Sequence, residues 1–266
     1  MYSSHHHKHH ARRLLCLTAL LCFAAGGTAY ACTRKAAVPQ LPELSAESLE
    51  QPAEYGVQQS TLTAAQAQAI LDDPRMILVS RTHPITEDYP VETKECGSAT
   101  AINKTLQTEA ADAFLSMQAA AAKDGVDVRM QSGYRSVSYQ KKLYDNKTQY
   151  YRDKGLSEAA AREKAAVIVN PPGCSEHNCG LAADLNSPEH TGLDEGFENT
   201  AAFRWLCEHA AEYGFILRYP QGAEDATEIT YEPWHWRYVG PENAAKINAS
   251  GLCFEDYIAA LQSIAA

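Results

Sequence analysis

The stretch SEHNCGLAAD (Ser175–Asp184) sets a histidine and an aspartate seven residues apart, with Gly180 between them. On a plain strand an odd spacing sends two side chains to opposite faces. For His177 and Asp184 to meet, the chain must bend, and Gly180 is the residue that allows it. Ala182 and Ala183 are small enough for the backbone to pack closely beneath them. The stretch therefore reads as a loop that turns and enters a strand. A second stretch, EPWHWRY (Glu232–Tyr238), places Glu232 three residues ahead of His235. Pro233 lacks a ladder donor and belongs at a strand start. That leaves Glu232 in the preceding loop and points His235 inward. Taken alone, such pairs are open between hydrogen-bonded structure and a metal site. His83, His190 and His209 have no comparable setting and read as surface or helix residues.

Around these two stretches the chain alternates helical and extended signals. TAAQ (Thr63–Gln66) fits a capping box opening a helix to about residue 73. MILVS (76–80) reads as a short strand, and 103–125 as an alanine-rich helix stopped by Gly125. VDVRMQS (126–132) alternates like a strand. Helices follow over 138–153 and 157–169, the second ended by NPPG (170–173). Beyond Asp184 come a helix over 200–213, a strand FILRY (215–219), a polar hairpin-like loop and a strand WHWRYV (234–239). Helices over 243–248 and 254–265 close the chain. There is no internal repeat. Helices and strands run separately with short loops, which predicts α+β with a central, mostly antiparallel sheet flanked by helices.

The N-terminus predicts export. Lys8, Arg12 and Arg13 precede the apolar run LLCLTALLCFAA (14–25), and AYA (29–31) fits a small-x-small cleavage site. The run is too short to span a bilayer. Residues 1–31 are thus expected to be a signal peptide, and the histidines ahead of the run leave with it. Cys32 follows the cut and is open between a lipidated cysteine and an ordinary first residue. Residues 32–60, rich in Pro, Glu, Gln and Ser, are expected to form a flexible tether, with the folded domain over 61–266. The formal charge is −10, and −13 once the three basic leader residues are gone. That balance argues against nucleic acid as a partner. Membrane contact is expected only through the leader or a lipidated Cys32, and the protein is expected to be a monomer.

The two stretches together carry a resemblance. Ser175-x-His177-x-x-Gly180-x-Ala182-x-Asp184, followed by Glu232-x-Trp234-His235, resembles the signature of the zinc D-Ala-D-Ala carboxypeptidases of the VanY type. SGYRS (132–136) and YGFILRYPQG (213–222) match two further blocks, in the family's order, from about Ile77 to the C-terminus. The resemblance implies the zinc D-Ala-D-Ala peptidase or hedgehog-like fold. It implies zinc held by His177, Asp184 and His235, and Glu232 as general base. Arg135 is implied to face substrate as a catalytic and binding cation. Ser175 and Gln140 are implied to line the same pocket, and Trp234 is open between pocket wall and core. Trp234 and Trp236 are expected on opposite faces.

Chemistry agrees with these roles. Two imidazoles and one carboxylate leave zinc with residual positive charge. A carboxylate beside an open position suits proton transfer, and a guanidinium fork suits a terminal carboxylate. The implied substrate is the peptidoglycan stem peptide, with loss of its terminal D-Ala. An L,D-carboxypeptidase on tetrapeptide stems, a dipeptidase and a non-catalytic zinc-containing wall module are the alternatives. Glu232 argues against the last. The cysteines depart from the common pattern. A Cys174–Cys179 disulfide would clip the ligand loop, Cys207 and Cys253 could form a second bridge, and Cys96 has only Cys32 left.

Overall fold

A computed structural model describes residues 62–98 and 100–266. The expected leader and tether lie outside the described residues. Eight helices and six strands are present among the described residues: α1 (Ala64–Leu71), β1 (Thr93–Glu95), β2 (Thr105–Gln107), α2 (Thr108–Lys123), β3 (Arg129–Ser132), α3 (Val137–Asp153), α4 (Glu158–Ala166), β4 (Ala182–Asn186), α5 (Ala201–His209), β5 (Phe215–Leu217), α6 (Glu224–Thr227), β6 (His235–Tyr238), α7 (Pro241–Ser250) and α8 (Phe254–Ala265).

Local chemistry sets the helix starts. Thr63 and Gln66 form the reciprocal capping box at α1, which satisfies two of the orphan N–H groups at that end. Ser136 and Ser157 cap α3 and α4 through their hydroxyls. The central sheet has the order β3-β4-β6-β5, and every neighbouring pair is antiparallel. β1 and β2 form a separate antiparallel pair. The architecture is α+β, as expected.

Alternation along the central strands divides the sheet into two faces. Met130, Ala183, Leu185, Phe215 and Trp236 join the main core with Leu106 and with Phe114 and Met117 of α2. Asp184 and His235 alternate with these residues and pair across the strands, and a register shift between Met130 and Ser132 brings Ser132 opposite Asp184 into the same row. Polar side chains therefore stand in register on one face while the other face carries the apolar burial that drives folding. A second cluster, including Met76, Ile216, Val239, Phe254 and Leu261, fixes α8 to the rest of the domain.

Several elements differ from the sequence reading. Residues 76–80 are not a strand. Pro74–Met76 is a 3-10 turn, and the carbonyls of Arg75 and Ile77 each accept a 2.8 Å hydrogen bond from the buried Arg237 guanidinium. A side chain thus satisfies what a sheet neighbour would have. The helix expected over 103–125 begins at Thr108 because Thr105–Gln107 pairs with β1. The 3-10 turn Ala210–Tyr213 replaces the last turn of the helix expected to run to residue 213. The loop between β5 and β6 contains the short α6 rather than a hairpin. Trp234 and Trp236 pack on the same core cluster rather than on opposite faces, because Trp234 lies in the turn ahead of β6 and not on the strand.

Candidate metal centre and active site

Three elements bring the site together. Asp184 and His235 face each other across β4 and β6. His177 arrives from the 3-10 turn Glu176–Cys179. That turn ends at Gly180, whose φ is 74°, and a Cβ there would lie 2.9 Å from Val91 Cγ1 and 3.1 Å from the Gln107 nitrogen. Both the left-handed backbone and the tight fit require glycine. This is the bend that the His177–Asp184 spacing demands. On the other side of the site, a Cβ on Gly133 would lie 2.2 Å from the Thr105 carbonyl oxygen, so the SGYRS loop also depends on its glycine.

His177, Asp184 and His235 are all buried, and one donor atom from each falls within a 4.8 Å group. Asp184 Oδ1 lies 3.2 Å from His177 Nε2 and 3.3 Å from His235 Nδ1. Zinc–nitrogen and zinc–oxygen bonds of ~2.0–2.1 Å in a tetrahedron put neighbouring ligands ~3.3 Å apart. The two distances match that edge, and two imidazoles with one carboxylate are a donor set whose chemistry suits zinc. His177 Nδ1 donates to the Gly133 carbonyl at 2.8 Å, which leaves its Nε2 lone pair facing Asp184 and the metal position. Burial and the nearby Arg135 charge hold His177 down at about 4, against the pull of Asp184. It is therefore neutral near pH 7, as a ligand must be.

Arg135 Nη2 donates to Asp184 Oδ2 at 2.6 Å, and Nε and Nη2 both reach Ser132 Oγ. Burial opposes the charge on Asp184, but His177 and Arg135 hold its carboxyl well below the usual range. Glu232 Oε2 is 3.5 Å from His235 Nδ1. Burial pushes the Glu232 carboxyl up to about 7, with His235 pulling down and Asp184 adding to the rise. A carboxylate beside the ligand set and facing the cleft can exchange a proton with a water there.

A cleft of about 500 Å³ opens over these groups. Arg135, Gln140, Ser175, Glu232 and Trp234 all line it, together with the three ligands. The residues expected at the site therefore converge on one cleft. Gln140 Nε2 is committed to the Asn170 carbonyl at 2.7 Å, while its buried Oε1 has no protein partner. Trp234 both lines the cleft and packs on the core. Outward from Gln140, Leu143, Lys147 and Tyr150 continue one face of α3, opposite Ile168 and Val169.

The disulfide clip does not form. The five described cysteines make no disulfide with one another. Cys179 Sγ instead donates to the Glu176 carbonyl at 3.0 Å. The ligand turn is tied to the SGYRS loop by hydrogen bonds: the Arg135 N–H donates to the His177 carbonyl, and Asn178 Nδ2 donates to the Arg135 carbonyl at 2.7 Å. Cys207 is exposed, and Cys253 Sγ faces Asp256, so the second bridge is absent too. His83, His190 and His209 lie outside the ligand group; the ring nitrogens of the latter two reach Asp194 and Glu212 in exposed contacts.

Sequence reasoning missed two residues. Tyr219 is buried beside the site, its ring 4.8 Å from that of His235; it lay inside a recognised block, but nothing local marked it. Glu176 is buried behind His235 and held by Arg218 and Arg237. Those partners are 42 and 61 residues away, so no short-range pattern announces them.

Comparison with known proteins follows the same outline. A family model described as VanY, D-alanyl-D-alanine carboxypeptidase, matches residues 103–241. The D-alanyl-D-alanine carboxypeptidase of Enterococcus faecalis (strain ATCC 700802 / V583) is 37% identical over 203 residues, 76% of this chain and 72% of that protein. Among solved structures, a mutant of the vancomycin resistance D,D-pentapeptidase VanY in complex with Zn(II) is 36% identical at a TM-score of 0.59, covering 69% of this chain and 98% of that one. VanYB in complex with D-alanine-D-alanine is 37% identical, also at 0.59, covering 70% and 97%. The LdcB LD-carboxypeptidase is 34% identical at a TM-score of 0.61, covering 73% and 87%.

Proposed function

The chain belongs to the VanY D-alanyl-D-alanine carboxypeptidase family, and from that premise we propose that it is exported and removes the terminal D-alanine of peptidoglycan stem peptides. The enzyme is a zinc metallopeptidase. His177, Asp184 and His235 would hold the ion. When bound, zinc supplies a Lewis acid that polarises a carbonyl and makes water a better acid.

The chain's own groups supply the rest. Glu232 takes the proton of the attacking water and returns it to the departing amine. Arg135, fixed by Ser132 and Asp184, offers donors to the carboxylate of the terminal residue or to the developing oxyanion. Gln140 lines the same cleft, its amide held by the Asn170 carbonyl. Ser175 and Trp234 shape the pocket. The outer cleft along α3 receives the residues ahead of the scissile bond. Lys147 lies ~10 Å beyond Gln140 along the helix axis, about three extended residues further out.

The observation that carries this reading is Glu232 beside the His-Asp-His set and facing an open cleft. A purely structural zinc site has no use for such a carboxylate. The test is release of D-alanine from a peptide ending in D-Ala-D-Ala. Release abolished by a chelator and restored by zinc supports the reading; release indifferent to the chelator contradicts it.

The second reading is an L,D-carboxypeptidase on tetrapeptide stems. It is favoured by the similarity to the LdcB LD-carboxypeptidase, which shares this fold. Export rests on the basic n-region, the apolar run and AYA. The exported protein is a monomer, and its membrane contact, if Cys32 carries lipid, is through that residue.

A further inference from the structure

Glu176 takes no part in the chemistry described above, yet its side chain has no solvent exposure. Its Oε1 accepts from Arg218 Nε at 2.8 Å and from Arg237 Nη1 at 2.7 Å. Arg218 is held in turn by Glu255, and Arg237 by the carbonyls of Arg75 and Ile77. With Oε1 pinned by two anchored guanidiniums, the carboxylate plane is set and Oε2 points at His235. Glu176 Oε2 and His235 Nε2 are 3.7 Å apart, and neither has a hydrogen-bond partner among the described residues. A buried polar atom left without a partner is costly, and here two complementary ones face each other. On the opposite edge of the imidazole, Nδ1 faces Asp184 Oδ1.

A metal-bound imidazole is neutral and carries one proton, and which nitrogen holds it decides which lone pair is free. An ionised carboxylate can only accept. We propose that Glu176 is a positioning residue: it accepts the Nε2–H of His235 and so turns that ring's Nδ1 lone pair toward the metal. His177 is oriented by a backbone carbonyl, whereas His235 is oriented by a buried charge that two arginines hold in place. This inference rests on the zinc reading of the site. A wild-type protein that binds no zinc would overturn that reading itself.

Glu176→Gln separates orientation from bulk. The carboxamide has nearly the same shape, but its oxygen must face the two arginines. Its NH2 then faces His235 Nε2 and needs a lone pair there, which moves the ring proton to Nδ1. The expected result, by competition with a chromogenic zinc chelator on the full chain, is binding about 10- to 100-fold weaker than wild type. A merely structural Glu176 would lower the melting temperature of the metal-free protein while the folded protein kept wild-type zinc affinity; that result overturns the proposal. If the variant does not fold, nitrogen-edited NMR of zinc-loaded wild type decides. A downfield, slowly exchanging Nε2 proton on His235 supports the proposal. A solvent-exchanging proton at the ordinary imidazole position overturns it.

Discussion

Asp184 and His235 are a direct cross-strand pair, and the carboxylate oxygen of one lies 3.3 Å from Nδ1 of the other. The rigid sheet, not a loop, thus sets the spacing of two of the three ligands. Zinc added in 100-fold excess over its Kd should stabilise wild type by ~2.7 kcal/mol. His235→Ala should abolish this gain and all hydrolysis. Glu232→Gln should keep the thermal gain but lower kcat by about 10²–10⁴-fold. Thermal unfolding with and without zinc, beside a D-alanine release assay, checks the split. An active Glu232→Gln would show that another group moves the proton.

Arg135 reaches both Asp184 and Ser132, a geometry that needs the planar fork. Arg135→Lys keeps the charge but cannot hold both partners and still face substrate. We expect kcat/KM to fall by about 10²-fold or more, with zinc content unchanged by metal analysis.

The outer cleft is tested by substrate length. Lys147 is half-buried and lines the cleft, and it makes no ion pair among the described residues. Lys147→Gln should raise KM about two- to fivefold for a stem peptide bearing a free carboxylate upstream of the scissile bond. Amidating that carboxylate should cost wild type the same factor and leave the variant unmoved. Steady-state kinetics on the two peptides reads this directly.

A pH effect is expected far from the site. Burial raises the Asp73 carboxyl, but Arg75 and Asn243 more than offset it, so it lies below its ordinary value. A group lowered on folding contributes stability that is complete above its unfolded value of about 3.9 and is lost as the pH falls through the folded one. Asp73→Asn should therefore cost ~1.5–3 kcal/mol at pH 7. The gap to wild type should narrow as the pH drops below about 4. Urea unfolding of both proteins across that range measures the gap.

Motif spacing carried much of the site in the sequence. The odd interval from His177 to Asp184 demanded a bend, and Gly180 supplies it with a left-handed turn. Pro233 marked the loop that leaves Glu232 at the cleft. What the sequence hid was long-range. Residues 76–80 looked like a strand because four apolar side chains run in succession, but Arg237, about 160 residues away, takes the carbonyls of Arg75 and Ile77. Thr105–Gln107 looked helical until its pairing with β1 is known. Glu176 looked like an unremarkable position beside a histidine, and only the fold brings two arginines to it. The cysteines misled in the other direction. Their flanking of His177 suggested a clip, whereas hydrogen bonds from Arg135 and Asn178 tie that turn.

The most direct test incubates the zinc-loaded protein with a pentapeptide stem and, separately, a tetrapeptide stem. Mass spectrometry follows loss of one alanine, with a chelator control. The account predicts chelator-sensitive loss from the pentapeptide. Loss from the tetrapeptide alone would make the enzyme an L,D-carboxypeptidase, and no loss from either, with zinc bound, would contradict the proposed carboxypeptidase function.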